Sequence, residues 1–576
     1  MRHAKRTLCA LLAALLLATP LLAAGPFAGE HDKRMEDLTF LVETLEKVHP
    51  ELYANTTPQA VADKKTYIAQ NMDNWNNTEL SLEYRSLIGM VGDSHTNIGI
   101  KVTGNYKKLP LSVEWMGDKW ILTGALKEHQ RFVGGEVLTI GGLTMDQVQQ
   151  RLGTSLCADN DTWAKRVMGQ WLYLWDVLLH AGVVKADQQT LALTVRDREG
   201  VTGTIAVLPL TNDESNALVA SGQMQEMAVT LQTMRTGIPA TAPDGDVHYK
   251  LLDLGDGDLY IQYNACFEDP NLPVADFAAQ IAGQLQTGAY DRVILDLRYN
   301  GGGSDGVIWD LLYAILPYYQ QGTDLYALID TGTFSSALIN AVQLKQLGAI
   351  LVGTPTGGSV DHFGAIKSFQ LPNSGWKIHY STKFIDMGGY YEAAAPYDVE
   401  SLRPDILAAQ TVSDYLTGID TAVEAVRSIP VTAAAQTAAA SAVSVTVNGK
   451  ATDLRGYTVG GEFYVGLRDA AMVLTGTAAQ FDVAWHEADG VAEVIPGQAY
   501  QAVGGELAAP AAESQPTRLA AKLLVKPGLP VHMLGAPGPL STCRIGTQHY
   551  VHLAELGTKL GFTVRLDGST AALTTG

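Results

Sequence analysis

The run Val293-Ile-Leu-Asp-Leu297, continuing into Arg298-Tyr-Asn-Gly-Gly-Gly303, decides how this chain is read. A short apolar run that breaks into a polar, glycine-rich stretch predicts a buried strand ending at a loop. Ile308, Leu311, Leu312 and Ile315 then recur at helical spacing. Leu325 to Ile329 predicts the next strand, ending at Thr331-Gly-Thr-Phe-Ser-Ser336; a helix follows, and Ala349-Ile-Leu-Val352 predicts another strand. Repeated strand–helix units across residues 250–430 imply an α/β core with a largely parallel sheet.

Outward from that core, 576 residues exceed what one hydrophobic core organises, so several domains are expected. Arg2, Lys5 and Arg6, the apolar run Leu8 to Leu17, and small residues at Ala23 and Ala24 have the layout of a secretory signal peptide, residues 1–24. Leu38, Leu41, Val42, Leu45 and Val48 predict a helix ended by His49-Pro50, and a second helix leads into Gly92-Asp-Ser-His-Thr96. Residues 25–104 therefore read as a helical subdomain. Residues 105–215 mix short β-type runs with Gly134-Gly135 and a helical Met145 to Leu152 segment. That order resembles part of a PDZ domain, a purely structural insert being the other reading. The α/β core takes 216–429. The Ala/Thr/Ser-rich stretch 430–444 suits a linker. Within 445–576, Tyr464-Val-Gly-Leu467 and Tyr550-Val-His-Leu553 mark two copies of one α+β unit. These copies resemble copper-amine-oxidase N-terminal-like domains, but neither clusters His, Cys or Met ligands.

A net charge of -20 disfavours nucleic acid and anionic lipid as partners. The four cysteines (9, 157, 266 and 543) are too scattered for a disulfide framework, and neither C-x-x-C nor H-E-x-x-H occurs. No metal or other cofactor is expected.

Acyl transfer needs a nucleophile, a base, an orienter and oxyanion donors. Ser335, between a strand and a helix, would have its hydroxyl where free helix N–H groups gather. The N–H of Ser336 is one candidate donor. The glycine run, through Gly302 and Gly303, could bring another close because absent side chains permit tight approach.

These runs, with Val352-Gly-Thr-Pro-Thr-Gly-Gly358, resemble the core of the tricorn-like and tail-specific serine protease superfamily. His49-Pro-Glu-Leu-Tyr53 and Gly92-Asp-Ser-His-Thr96 are similar to the helical region of its tricorn-like branch. The resemblance implies a crotonase-like catalytic fold and an exported, secreted or cell-surface peptidase acting on peptide or protein substrates. A Ser–Lys dyad is disfavoured, because Ser359 stands where the lysine should be. The tricorn-like pattern instead implies His95 as base, Ser94 beside it, and Glu400 as orienter. His362 is the competing base; Glu392 and Asp398 are the competing orienters. Two further readings stay open: a binding protein for hydrophobic ligands on the same scaffold, and an envelope scaffold whose C-terminal units contact the cell wall. The sequence leaves the oligomeric state open.

Overall fold

The computed structural model describes residues 26–102, 104–288, 290–319, 323–391, 393–397, 399–429, 437–440, 444–459, 461–486, 491–507, 523–527, 531–533, 540–545, 548–567 and 570–576. The signal peptide, Glu392, Asp398 and most of the 430–444 stretch lie outside them.

The helical spacing after residue 30 produces α1 (His31–Val48), which buries Leu38, Leu41, Val42 and Leu45. It stops at His49, which is extended before Pro50 because proline disfavours a helical residue in front of it. α2 (Asn77–Gly89) opens on a capping box in which Asn76 accepts from the backbone at Glu79 and Glu79 reaches back. It delivers the 92–96 loop. A Cβ at Gly89 would lie 1.7 Å from the Thr154 carbonyl. Glycine is needed there for the next module to approach.

That middle module is a seven-stranded, antiparallel sheet. It includes Lys119–Leu126, Glu136–Ile140, Leu191–Arg196 and Thr202–Val207. Ala228–Thr230 also pairs with it, so the sheet runs past the boundary expected at 215. α3 (Asp161–Gly169), capped by the Asn160 side chain, lies against it. Arg85 of α2 crosses to the module and donates to the carbonyls of Ser155 at 2.6 Å and Leu156 at 3.2 Å.

The core follows as β1 (Tyr249–Asp253), β2 (Asp258–Tyr263), α4 (Val274–Thr287), β3 (Arg292–Asp296), α5 (Ile308–Tyr319), β4 (Asp324–Ile329), α6 (Ser336–Gln346), β5 (Ile350–Gly353) and β6 (Ile406–Leu407). The sheet order is β1 to β6 in sequence, parallel except for the β1–β2 hairpin. Both faces are covered, which explains the near-continuous apolar runs. Val293, Leu295, Ala327 and Leu351 meet α4, α5 and α6 on one face. Ile294, Tyr326, Leu328 and Val352 meet Val423 and Val426 on the other. The loops after β3, β4 and β5 therefore gather at the carboxyl ends of parallel strands, where open α/β sheets place their sites. Beyond β5 the chain makes an excursion: Lys377–Tyr380 pairs with Asn97–Ile98, just after the α2 loop.

The C-terminal region holds a closed barrel of six strands and its own apolar core, including Phe463, Leu474, Phe481, Val551 and Leu556. Thr437–Ala440, inside the stretch expected to be a linker, is one of the barrel strands. β7 (Glu462–Gly466) leads into α7 (Leu467–Leu474), and β8 (Gln548–His552) into α8 (Leu553–Leu560); β7 and β8 pair with each other. Cys157, Cys266 and Cys543 are free and buried.

One buried charge locks the end of β3. Arg298 donates to Asp296 at 2.6 Å and to both oxygens of Asp420 at 2.8 and 2.7 Å. Burial would raise the Asp420 carboxyl, but the Arg298 charge, with hydrogen bonds from Arg298 and Thr241, outweighs it and holds the group below its usual value. Replacing Arg298 by Met is expected to cost about 3–5 kcal/mol in urea unfolding, since two buried carboxylates lose their partner. Because the folded Asp420 pKa is depressed, its contribution is complete above the unfolded value, about 3.9, and is lost as pH falls through the folded value. Asp420→Asn should flatten that part of the stability–pH curve.

Candidate active site

Ser335 occupies a turn built by its neighbours. Asp330 Oδ1 accepts from Gly332 N at 2.7 Å, Thr333 Oγ1 donates to the Leu297 carbonyl at 3.0 Å, and Phe334 N donates to the Asn300 carbonyl at 3.1 Å. The β3 and β4 loops are thereby zipped together. Ser335 follows at φ 54°, ψ -128°, as the N-cap residue of α6, with its side chain making no cap hydrogen bond. A non-glycine residue held there stores about 1–3 kcal/mol, a strain concentrated at functional sites. The half-buried hydroxyl is presented by the strand-to-helix turn itself.

Glycine at 302 is dictated by this turn. A Cβ there would sit 2.7 Å from Ser335 Cβ and 2.9 Å from Ser336 N, and Gly302 itself has φ +103°. The three expected oxyanion donors separate at this point. Ser336 N–H is among the first donors of α6, which have no intrahelical acceptor. Gly303 follows at φ +140°, and its carbonyl accepts from Ser336 Oγ at 2.8 Å. Gly302 N–H, however, donates to Asn300 Oδ1 at 2.9 Å. It is already used, so Gly302 serves by being small rather than by donating.

His95 is buried beside this turn, its ring 4.5 Å from that of Phe334 at 24°. His362 stacks on His95 at 5.4 Å, and Trp163 stacks on Phe334 at 3.9 Å. Neither His95 nitrogen has a hydrogen-bond partner, so the imidazole beside Phe334 is not bonded to Ser335. Burial, with His362 second, pushes the His95 pKa down to about 4, against the charge of Asp93. The Phe363 backbone also favours the cation, although its approach falls short of hydrogen-bond geometry.

The loop holding His95 is organised by Asp93, which the sequence reading quoted but gave no role. Its Oδ1 accepts from His95 N at 2.8 Å, and its Oδ2 from Thr96 Oγ1 at 2.5 Å and His49 Nε2 at 3.2 Å. Burial opposes its ionisation, yet these partners hold its carboxyl below the usual range. Its nearest approach to the imidazole is 3.9 Å, to Nδ1. The competing base, His362, has Nδ1 near the Val360 carbonyl at 3.1 Å and Nε2 without a partner.

The acid assignment needs correction. Glu400 lies on the exposed side of its loop, bonded to Arg403 at 2.9 Å, with 60% of its side chain exposed. Only its carbonyl turns inward, to Val360 N at 2.8 Å. A free carboxylate gains more from water and Arg403 than from a buried ring. Ser94 Oγ, also unpartnered, faces Asp159 of the middle module without completing a hydrogen bond. Asn160 Nδ2 donates to Ser359 Oγ at 2.9 Å and to the Gly357 carbonyl at 3.1 Å. Asp159 and Asn160 escaped the sequence reading because Asp-Asn-Asp before an apolar run signals no more than a helix start. Among the described residues no group of three or more His, Cys, Asp or Glu could hold a metal ion. A cavity of about 500 Å³ touches Arg298, Tyr299, Asp330 and Thr331, but neither Ser335 nor His95 lines it.

No protein-family model matches the sequence, and no curated protein matches it. Among solved structures, mature CPAF overlaps 67% of this chain and 95% of its own, at 16% identity and a TM-score of 0.45. The photosystem II D1 C-terminal processing protease overlaps 68% and 98%, at 14% identity and a TM-score of 0.31. A lipoprotein from Streptococcus agalactiae overlaps 29% and 68%, at 17% identity and a TM-score of 0.23. At such distances the chemistry stands on the residues alone.

The burial of His95 has a measurable consequence. A ring whose pKa is depressed stays neutral through the pH 5–7 range and takes its proton only near pH 4. Histidine-labelled NMR should show that midpoint, well below the usual value near 6.5. His362→Gln, which removes a neighbour whose charge would oppose the His95 cation, should raise it.

Proposed function

We propose that this chain is a serine peptidase in which Ser335 is the nucleophile and His95 the general base. The observation that carries the reading is the strained Ser335 backbone at φ 54°, ψ -128°. A helix N-terminus and a glycine-backed loop meet at that hydroxyl, as acyl transfer requires. In the reaction the His95 ring leaves its stack on Phe334 and accepts the Ser335 proton as Oγ bonds to the substrate carbonyl carbon. The carbonyl electron pair moves onto oxygen, and the Ser336 and Gly303 N–H groups receive that charge. Collapse breaks the C–N bond, His95 gives its proton to the departing amine, and water, activated the same way, releases the acid.

A base that is neutral at pH 7 can accept the proton, and its low affinity in the resting site is offset only when negative charge appears nearby. The signal-like residues 1–24 support export, and the acidic surface fits peptide substrates in preference to nucleic acid. The C-terminal region, with a core of its own, suits attachment to the cell envelope. One observation favours the runner-up, a ligand-binding protein on the same scaffold: Ser335 and His95 are not bonded in the described state.

A fluorophosphonate probe separates the two. Stoichiometric labelling that maps to Ser335 supports the peptidase, and a stable, unlabelled chain supports the binding protein. Ser335→Ala should abolish labelling and lower ester hydrolysis by about 10⁶-fold, the usual cost of losing a serine nucleophile. His95→Ala should be nearly as damaging, because the two act as a unit. A chain ending at residue 429 should keep the rate of the whole, since no proposed catalytic group lies beyond it.

A further inference from the structure

We propose that Asp159, brought by the middle module, is the positioning carboxylate of this site: it faces Ser94 and Ser359 and steadies the loop carrying His95. The inference rests on the peptidase reading above and assigns it an acid from among the described residues.

The start of α3 is fastened to the catalytic loops from several directions. Asn160 bonds Ser359 and Gly357 with its amide nitrogen, while its Oδ1 accepts from Trp163 N at 2.8 Å. Trp163 lies flat on Phe334, with 15° between the rings. A Cβ at Gly357 would come within 3.0 Å of the Trp163 ring, so the glycine turn after β5 is shaped to receive it. Arg166 Nη1 reaches Thr331 Oγ1 at 3.4 Å, on the loop before Ser335. The module thus holds Asp159 in one place relative to Ser94 and Ser335.

The surroundings of Asp159 are unusual for a carboxylate. Hydroxyls of Ser94 and Ser359 and the Asn160 amide face it, and the charge that acts on it is that of Asp93, also negative. Partial burial, the leading cause, brings its pKa up to about 6, so it is mostly ionised at pH 7, and among the described residues no cation figures in the leading influences on it. Such a group costs stability and is characteristic of functional sites. The missing cation is formed during the reaction, when His95, next in sequence to Ser94, takes the Ser335 proton. Ser94 can donate its unpartnered hydroxyl to Asp159, fixing the loop, while the carboxylate favours the imidazolium. The stabilisation is larger in the transition state than in the resting site, which is the condition for catalysis.

The test uses the full chain, p-nitrophenyl butyrate hydrolysis and fluorophosphonate labelling. Asp159→Asn should lower kcat about 10²-fold with KM little changed, short of the about 10⁴-fold loss when an acid bonded directly to the imidazole is neutralised. Asp159→Glu should recover part of that loss. Arg166→Ala, which removes only the 3.4 Å contact to Thr331 and leaves the Asn160 and Trp163 contacts and the carboxylate in place, should cost kcat no more than a few-fold. Wild-type kcat in Asp159→Asn, with Ser335→Ala inactive, overturns the role of Asp159 and spares the nucleophile. Equal losses in Asp159→Asn and Arg166→Ala also overturn it, leaving a docking contact. Activity surviving in Ser335→Ala brings down the peptidase reading itself. Should Asp159→Asn not fold by circular dichroism, the size-matched Asp159→Glu and Asp159→Gln decide: a higher kcat with Glu supports the role, and equality overturns it.

Discussion

Everything chemical in this protein depends on how closely two backbones approach: the glycine loop after β3 and the turn before α6. A side chain at Gly302 would collide with Ser335, and one at Gly332 would lie 2.1 Å from the Arg298 carbonyl. With both sites bare, Asn300 and Leu297 carbonyls can take donors from Phe334 and Thr333. Those bonds over-determine a serine conformation that would relax in isolation. Arg298 anchors the far end of the same loop between two carboxylates, one from β3 and one from residue 420 near the end of the core. The strain at Ser335 is thus sustained by the tertiary structure around it.

The second organising feature is the burial of titratable groups where three parts of the chain meet. The helical region brings His49, Asp93 and His95; the core excursion brings His362; the middle module brings Asp159, which is half-buried. Desolvation pulls His95 and His362 toward neutrality and pushes Asp159 toward protonation, whereas Asp93 escapes because it collects donors from His49, Thr96 and the His95 backbone. Two nearby carboxyls are driven in opposite directions by the number of donors each has.

The sequence by itself determined the layered α/β core. Val293 to Leu297 could only be a strand covered on both faces, and it appears as β3, shifted by one residue at each end. Ser335 was legible for the same local reason, since strand, turn and helix in that order place a hydroxyl at a helix start. What lay beyond local pattern was decided by tertiary structure. Whether a glycine N–H is free depends on where Asn300 points, and Gly302 lost its donor role to a side chain two residues away. Glu400 carried the right chemistry in the right stretch, but its loop turns the carboxylate toward solvent and Arg403. The strand at 437–440 has a linker's composition and is a strand only because the barrel pairs it on both sides. Asp159 is separated from His95 by the length of a sheet's first half, and no periodicity connects them. Asp159 comes to face Ser94, the neighbour of His95, because Gly89 and Arg85 let the module pack against α2, a long-range contact made through backbone carbonyls that have no signature in sequence.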